Sequence, residues 1–176
     1  LNAAPEFAIF KVRSTTNNWA VYHKSLGATD QIKLNQTAAT SSSASFFQNT
    51  EPTSSVIYLG ADSTANYGSQ TMIAYCFAPV EGYSAFGSYT GNGSTDGPFI
   101  YTGFRPRWIM IKASNYTTDW AIIDTARNTY NVIDQVLDAN NNGSESTSSN
   151  HYVDTLSNGF KLRTPTHPFN AGYDYI

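Results

Sequence analysis

The sequence predicts an all-β protein of two tandem antiparallel β-sandwich or jelly-roll-like units related by an internal repeat. Three observations lead there. The stretch "TNNWAVYH" at 16–23 returns as "TTDWAIID" at 117–124. The apolar runs are short, rich in branched and aromatic residues, and closed by clusters of Gly, Asn and Ser. No stretch sustains the 3.6-residue period of an amphipathic helix over a full helix length.

Setting Trp19 on Trp120 aligns, without a gap, Pro5 with Pro106, Lys11 with Lys112, Thr16 with Thr117 and Ala20 with Ala121. Further on, "IYLGADSTANYGSQTMI" (57–73) parallels "FKLRTPTHPFNAGYDYI" (160–176), with Leu59 on Leu162 and, after a one-residue slip, Asn66 on Asn170 and Gly68 on Gly172. The copies are incomplete in complementary ways. "FGSYTGNGSTDGPFIYTGF" (86–104) precedes the second copy and has no counterpart before the first, whereas the first runs on into "AYCFAP" (74–79). The expectation is a window on a longer protein, with a first unit at 1–83 lacking its leading strand and a second at 84–176 lacking its closing strand. Those edges then lie open or take a strand from a neighbour.

Along the chain, "FAIFKV" and "RWIMIKA" begin the two units as strands. "DWAIID" places Trp120, Ile122 and Asp124 on one face and Ala121 and Ile123 on the other, because side chains alternate along a strand. Recurrence of Trp19 and Trp120 at one repeat position predicts a shared core role. "DQIKLNQT" (30–37) alternates as a strand, so its counterpart "NVIDQVLDANNNG" (131–143) is assigned strand too, although apolar residues at 132, 133, 136 and 137 also fit a short helix ended by Asn and Gly. "TAATSSSAS" and "NNNGSESTSSN" read as surface loops. "MIAYCFA" reads as a buried strand holding Cys76 as an inert thiol. "FGSYTGNG" ends in Asn92-Gly93, a pair that favours a tight hairpin turn because both residues accept positive φ.

A formal charge of −3 and Lys and Arg residues scattered singly give no dense basic face, so nucleic acid is excluded as an expected partner. No run approaches the ~20 apolar residues of a membrane span, and "LNAAPEF" has neither region of a signal peptide, so no membrane insertion is expected. With Cys76 alone, an intrachain disulfide has no second sulfur.

Chemistry-bearing patterns are sparse. In "DANNNGSE", Asp138, Asn140, Asn142 and Gly143 match the first half of a calcium loop, but position twelve is Ser149 where a bidentate Glu belongs, which favours a plain polar loop. His23, His151 and His167 are dispersed, without metal-ligand spacing. His23 and Asp124 fall at corresponding repeat positions, which makes a His/Asp pair between the copies conceivable; a solvent-facing strand end is the expected role of both. Asp119, Asp124, Asp134 and Glu51 lack the context of a glycosidase pair. The reading is therefore a non-enzyme without cofactor or assigned metal. Tyr67, Tyr116 and Tyr130 sit in polar, turn-like stretches and are the candidate glycan or surface contacts, since aromatic faces stack on sugar rings.

Together, "WAVYHKSLGAT", "IAYCFAPVEGYSAFGSYTGNGSTDGPFIYTGFRPRWIMIK" and "LSNGFKLRT" resemble a family of tandem β-domains in tail-fibre and other virion proteins of bacteriophages, notably marine phages of cyanobacteria. The resemblance covers nearly the whole chain and departs from the family pattern at the two ends. It implies a virion structural protein, a tail-fibre segment or capsid-surface appendage that presents loops for host attachment. Its implied partners are other virion proteins, further copies of itself (a trimer among the forms) and host-surface polysaccharide. The alternative reading is a lectin-like glycan-binding module without catalysis; a depolymerase ranks below both.

Overall fold

A computed structural model describes residues 2–176. The protein is all-β and every strand pair is antiparallel. The first half holds β1 (Phe7–Val12), β2 (Trp19–His23), β3 (Asp30–Lys33), β4 (Ser41–Ser42), a single helical turn α1 (Ala44–Phe47) and β5 (Met72–Phe77). The second half holds β6 (Tyr89–Thr90), β7 (Phe99–Tyr101), β8 (Trp108–Ile111), β9 (Ala121–Asp124), β10 (Gln135–Asp138), β11 (Ser146–Thr147), a 3-10 turn at Ser149–His151, β12 (Val153–Leu156), β13 (Gly159–Leu162) and β14 (Asp174–Tyr175).

The strands form sheets ordered β4-β3-β2-β1-β5, β11-β10-β9-β8, β12-β13-β7 and β14-β6. Registers recur between the halves. Phe7 faces His23 as Trp108 faces Asp124; Val21 faces Ile32 as Ile122 faces Leu137; Asp30 faces Ser42 as Gln135 faces Thr147. One turn lock recurs as well. Asn35 Oδ1 accepts the Trp19 N–H at 2.9 Å, and Asn140 Oδ1 accepts the Trp120 N–H at 2.7 Å. The Asn35 amide donates to Asn18, and that of Asn140 to Asp119. An Asn closing the bend from inside explains why an Asn stands two residues beyond the end of both β3 and β10.

Alternation gives each sheet an inner face. Ala8, Phe10, Ala20 and Tyr22 pack with Phe46 and Phe47 of α1, so the helical turn inside the Ser-rich stretch contributes core that the composition did not announce. Ile109, Ile111, Ala121, Ile123 and Val136 pack with Val153, Phe160 and Leu162. A third cluster joins the halves: Phe7, Val21 and Ile32 on the outer face of the first sheet meet Trp120 and Ile176.

Several expectations need correction. "MIAYCFA" is an edge strand, with Tyr75 and Phe77 exposed and Cys76 half-buried. Asn92-Gly93 does not close a hairpin: β6 pairs with β14 and β7 with β13, and Asn92 Oδ1 instead accepts the Ser94 N–H in a local turn. His23 is buried rather than facing solvent, while Asp124 accepts the Ala126 N–H, and no contact joins the two. The tryptophans part company: Trp120 is 2% exposed between the halves, whereas Trp19 is half-buried beneath the Lys11 ammonium at 5.7 Å. By contrast, the strand assignment of 131–143 holds: the stretch contains β10 and no helix.

Among the described residues the hairpin β12–β13 has no strand counterpart in the first half, and a glycine in it admits a third strand. A Cβ on Gly159 would sit 2.1 Å from the Ile100 carbonyl oxygen, so β7 can lie against β13 only where a side chain is missing. The corresponding residue, Val56, is exposed in an irregular segment.

Candidate functional site

The strongest cluster of exposed recognition chemistry lies where the loop after β8 meets the segment before β14. Tyr116 and Tyr173 stack nearly parallel, with ring centroids 4.1 Å apart and planes 7° from parallel. The His167 ring lies 5.1 Å from Tyr116 and 5.8 Å from Tyr173, tilted against both. Tyr116 and His167 are exposed and Tyr173 is half-buried, so the three rings offer an apolar platform with polar tips.

Lys112 holds this platform from below. Its side chain is fully buried and its Nζ donates to the carbonyls of Ala113 and Tyr116 at 2.6 and 3.2 Å, and to Thr118 Oγ1 at 3.4 Å. Burial pulls its pKa down to about 8, with Asp119 opposing, so the ammonium is still mostly charged at neutral pH and tethers the Tyr116 backbone. Beside the rings, Asn115 accepts the Asp174 N–H and donates to its carboxylate, each at 3.0 Å, while Thr90 donates to the other carboxylate oxygen at 2.8 Å. The arrangement supplies stacking surface, amide and carboxylate groups along one rim.

The supporting layer is also bonded. Tyr89 stacks on Tyr175 at 5.0 Å, and its hydroxyl donates to the Phe169 carbonyl at 2.8 Å. Burial pushes the Tyr175 phenol up to about 12. The buried Asn170 amide donates to Thr164 O and Ser94 O, both at 2.8 Å, and its oxygen accepts the Asn92 N–H at 2.9 Å. These bonds tie the turn after β6 to the loop carrying His167.

Of the three candidate tyrosines, Tyr116 belongs to this platform. Tyr130, 83% exposed, lies in the turn after β9, and Tyr67 precedes β5; no ring contact joins either to Tyr116 among the described residues. Tyr173 and His167 escaped the sequence reading. Their signal was the aromatic-rich tail "HPFNAGYDYI", legible only once β14 brings it against the loop after β8. In the weak calcium-loop candidate, Asn140 Oδ1 is occupied by the Trp120 N–H, and Asp138 accepts from the Asn141 amide at 3.0 Å, so these oxygens serve the turn. Among the described residues, no group of three or more His, Cys, Asp or Glu side chains converges to hold a metal ion.

A family model described as a domain of unknown function, DUF7483, matches residues 1–176. The chain belongs to the DUF7483 family. No curated protein and no solved structure matches it. Apart from the ring platform, the described residues of this DUF7483 chain shape an open groove of about 520 Å³, lined by Thr95, Asp96, Val132, Tyr152 and Arg163, and another of about 530 Å³ beside α1, lined by Ser45, Gln48, Leu59 and Asn66 among others. The rim of the first groove carries the Lys161–Asp96 ion pair at 2.8 Å. Asp96 is fully exposed, and its carboxyl is held below the usual carboxylate range chiefly by the hydrogen bond from Lys161.

Proposed function

We propose that this DUF7483 chain is a structural protein of a bacteriophage virion, a tail-fibre segment or capsid-surface appendage that presents loops to the host surface. The observation that carries the reading is the paired set of strand registers and Asn turn locks, which makes a β-frame suited to serial extension, with its polar loops at the periphery. Weak contacts repeated along an oligomeric appendage add through avidity. A homo-oligomer, with a trimer among its forms, and other virion proteins are the corresponding partners.

A second reading is favoured by one feature: the Tyr116–Tyr173–His167 platform has the stacking surface and adjacent hydrogen-bonding groups of a lectin-like glycan subsite without catalysis. Host polysaccharide is its ligand class.

Two experiments separate the readings. Immunogold labelling of intact particles with antibodies to this chain should decorate fibres or the capsid surface; label confined to soluble lysate contradicts the virion role. Titration with host polysaccharide should show binding that Tyr116→Ala weakens at least tenfold. Unchanged affinity would remove the ring platform from the account while leaving the structural role standing.

A further inference from the structure

We propose that copies of this chain associate head to tail, with the loop Arg13–Trp19 of one copy seated on the outer sheet face and β10 end of another copy's second half. The template lies inside the chain. The outer face of the first half, Phe7, Val21 and Ile32, is covered by Trp120 and Ile176 of the second half, with Phe86 of the connecting segment alongside. Three hydrogen bonds fix that contact: Trp120 Nε1 to Lys33 O at 3.0 Å, Thr118 N to Thr37 O at 3.0 Å, and Thr40 N to Ser114 O at 2.7 Å.

By the recurring registers, the same face in the second half is Trp108, Ile122 and Leu137. It is uncovered. Trp108 is 53% exposed where Phe7 is 8%, and Ile122 and Leu137 are partly exposed where Val21 and Ile32 are buried. The complementary surface is uncovered too: Arg13 is exposed and Asn17 and Trp19 are partly so, whereas Ser114, Thr118 and Trp120 are buried. The Trp19 indole nitrogen has no acceptor among the described residues.

Placed on the template, one copy's Trp19 N–H reaches the other's Asp138 carbonyl. Its Asn17 N–H reaches the Asn142 carbonyl, and the Glu145 N–H reaches the Arg13 carbonyl. Ile73 takes the place of Ile176, since Ile73 faces Lys11 as Ile176 bonds Lys112. The pairing also sets Arg13 beside Glu145, whose carboxylate already pairs with Arg127 of its own chain and would be shared between the two guanidinium groups at the rim. Because the two patches differ, each contact leaves one of each kind free, and copies add in series rather than closing as a two-fold dimer. The contact joins separate copies rather than two parts of one chain, so assembly depends on concentration. It goes beyond the virion role and does not require it.

Sedimentation velocity of the whole chain, from low micromolar to about 1 mM, reads the outcome directly. Average mass should rise past the dimer. Trp108→Glu and Trp19→Ala should each remain monomeric with unchanged far-ultraviolet circular dichroism, while their equimolar mixture gives a dimer and nothing larger, because each retains one intact patch. Arg13→Glu, at an exposed position, should weaken assembly at least tenfold without altering the fold. A wild-type monomer throughout, or variants that assemble like wild type, would overturn the proposal.

Discussion

Trp120 donates its indole N–H to the Lys33 carbonyl at 3.0 Å, and through that bond a side chain of the second half closes the outer face of the first. A buried tryptophan removes about 200 Å² from water, of order 5 kcal/mol by area, so this one ring couples the halves more strongly than any surface ion pair. Trp120→Ala should cost about 3–5 kcal/mol and separate urea unfolding into two transitions. Trp19→Ala, at the half-buried equivalent, should cost less than about 2 kcal/mol and leave one transition. Equal losses would contradict the coupling.

The outer edge of β8 carries no strand among the described residues, whereas its counterpart β1 is bonded to β5 over its whole length. Lys112 N–H points across that edge to Ile176, so by strand alternation the N–H groups of Met110 and Trp108 point the same way. Native-state hydrogen exchange in the monomer should therefore be fast at Trp108 and Met110 and slow at Phe7 and Ile9. Comparable protection at both sets would show that the edge is occupied.

Asn170 and Asn66 make the same local bond, each amide donating to the carbonyl six residues before it. Asn170 is buried and also holds Ser94 and Asn92, while Asn66 is exposed. Asn170→Ala should destabilise by about 2–4 kcal/mol and Asn66→Ala by less than about 1 kcal/mol in denaturant titrations. A reversed order would refute this assignment.

His23 titrates at about 4, lowered from 6.5 chiefly by burial, with Glu6 opposing. Its Nδ1 accepts the Ser25 N–H at 3.1 Å, which favours the neutral ring. The unfolded chain takes up the proton first, so the contribution of His23 is fully present above pH ~6.5. It is lost as pH falls toward 4, with a slope of at most about 1.4 kcal/mol per pH unit. His23→Asn should flatten that acid limb. An identical pH profile in the variant would sink the assignment.

The all-β class and antiparallel pairing were legible because "FAIFKV", "WAVYH" and "WIMI" carry branched and aromatic residues at strand length. The recurrence of Trp and Lys at one offset marked the β1–β2 and β8–β9 pairs, while the Asn35 and Asn140 turn locks, at a different offset, emerged only from the structure. What escaped depended on contacts distant in sequence. Whether a strand such as "MIAYCF" is central or at an edge is decided by its neighbours, and His23 is buried by the packing of Phe7 rather than by its own context. The ring platform was half legible: Tyr116 sits in a polar turn, but Tyr173 and His167 reach it only through the pairing of β14 beside Ala113. Gly159 had no distinguishing local signal, because its role is set by the approach of Ile100.

The central claim is that one pattern of strand registers is built twice. Cross-strand nuclear Overhauser contacts of the labelled chain test it most directly. Ile9–Val21 and Val21–Ile32 in the first half should be matched by Met110–Ile122 and Ile122–Leu137 in the second. A second half whose contacts are displaced by even one residue would turn its apolar side chains to the opposite face and contradict the duplication.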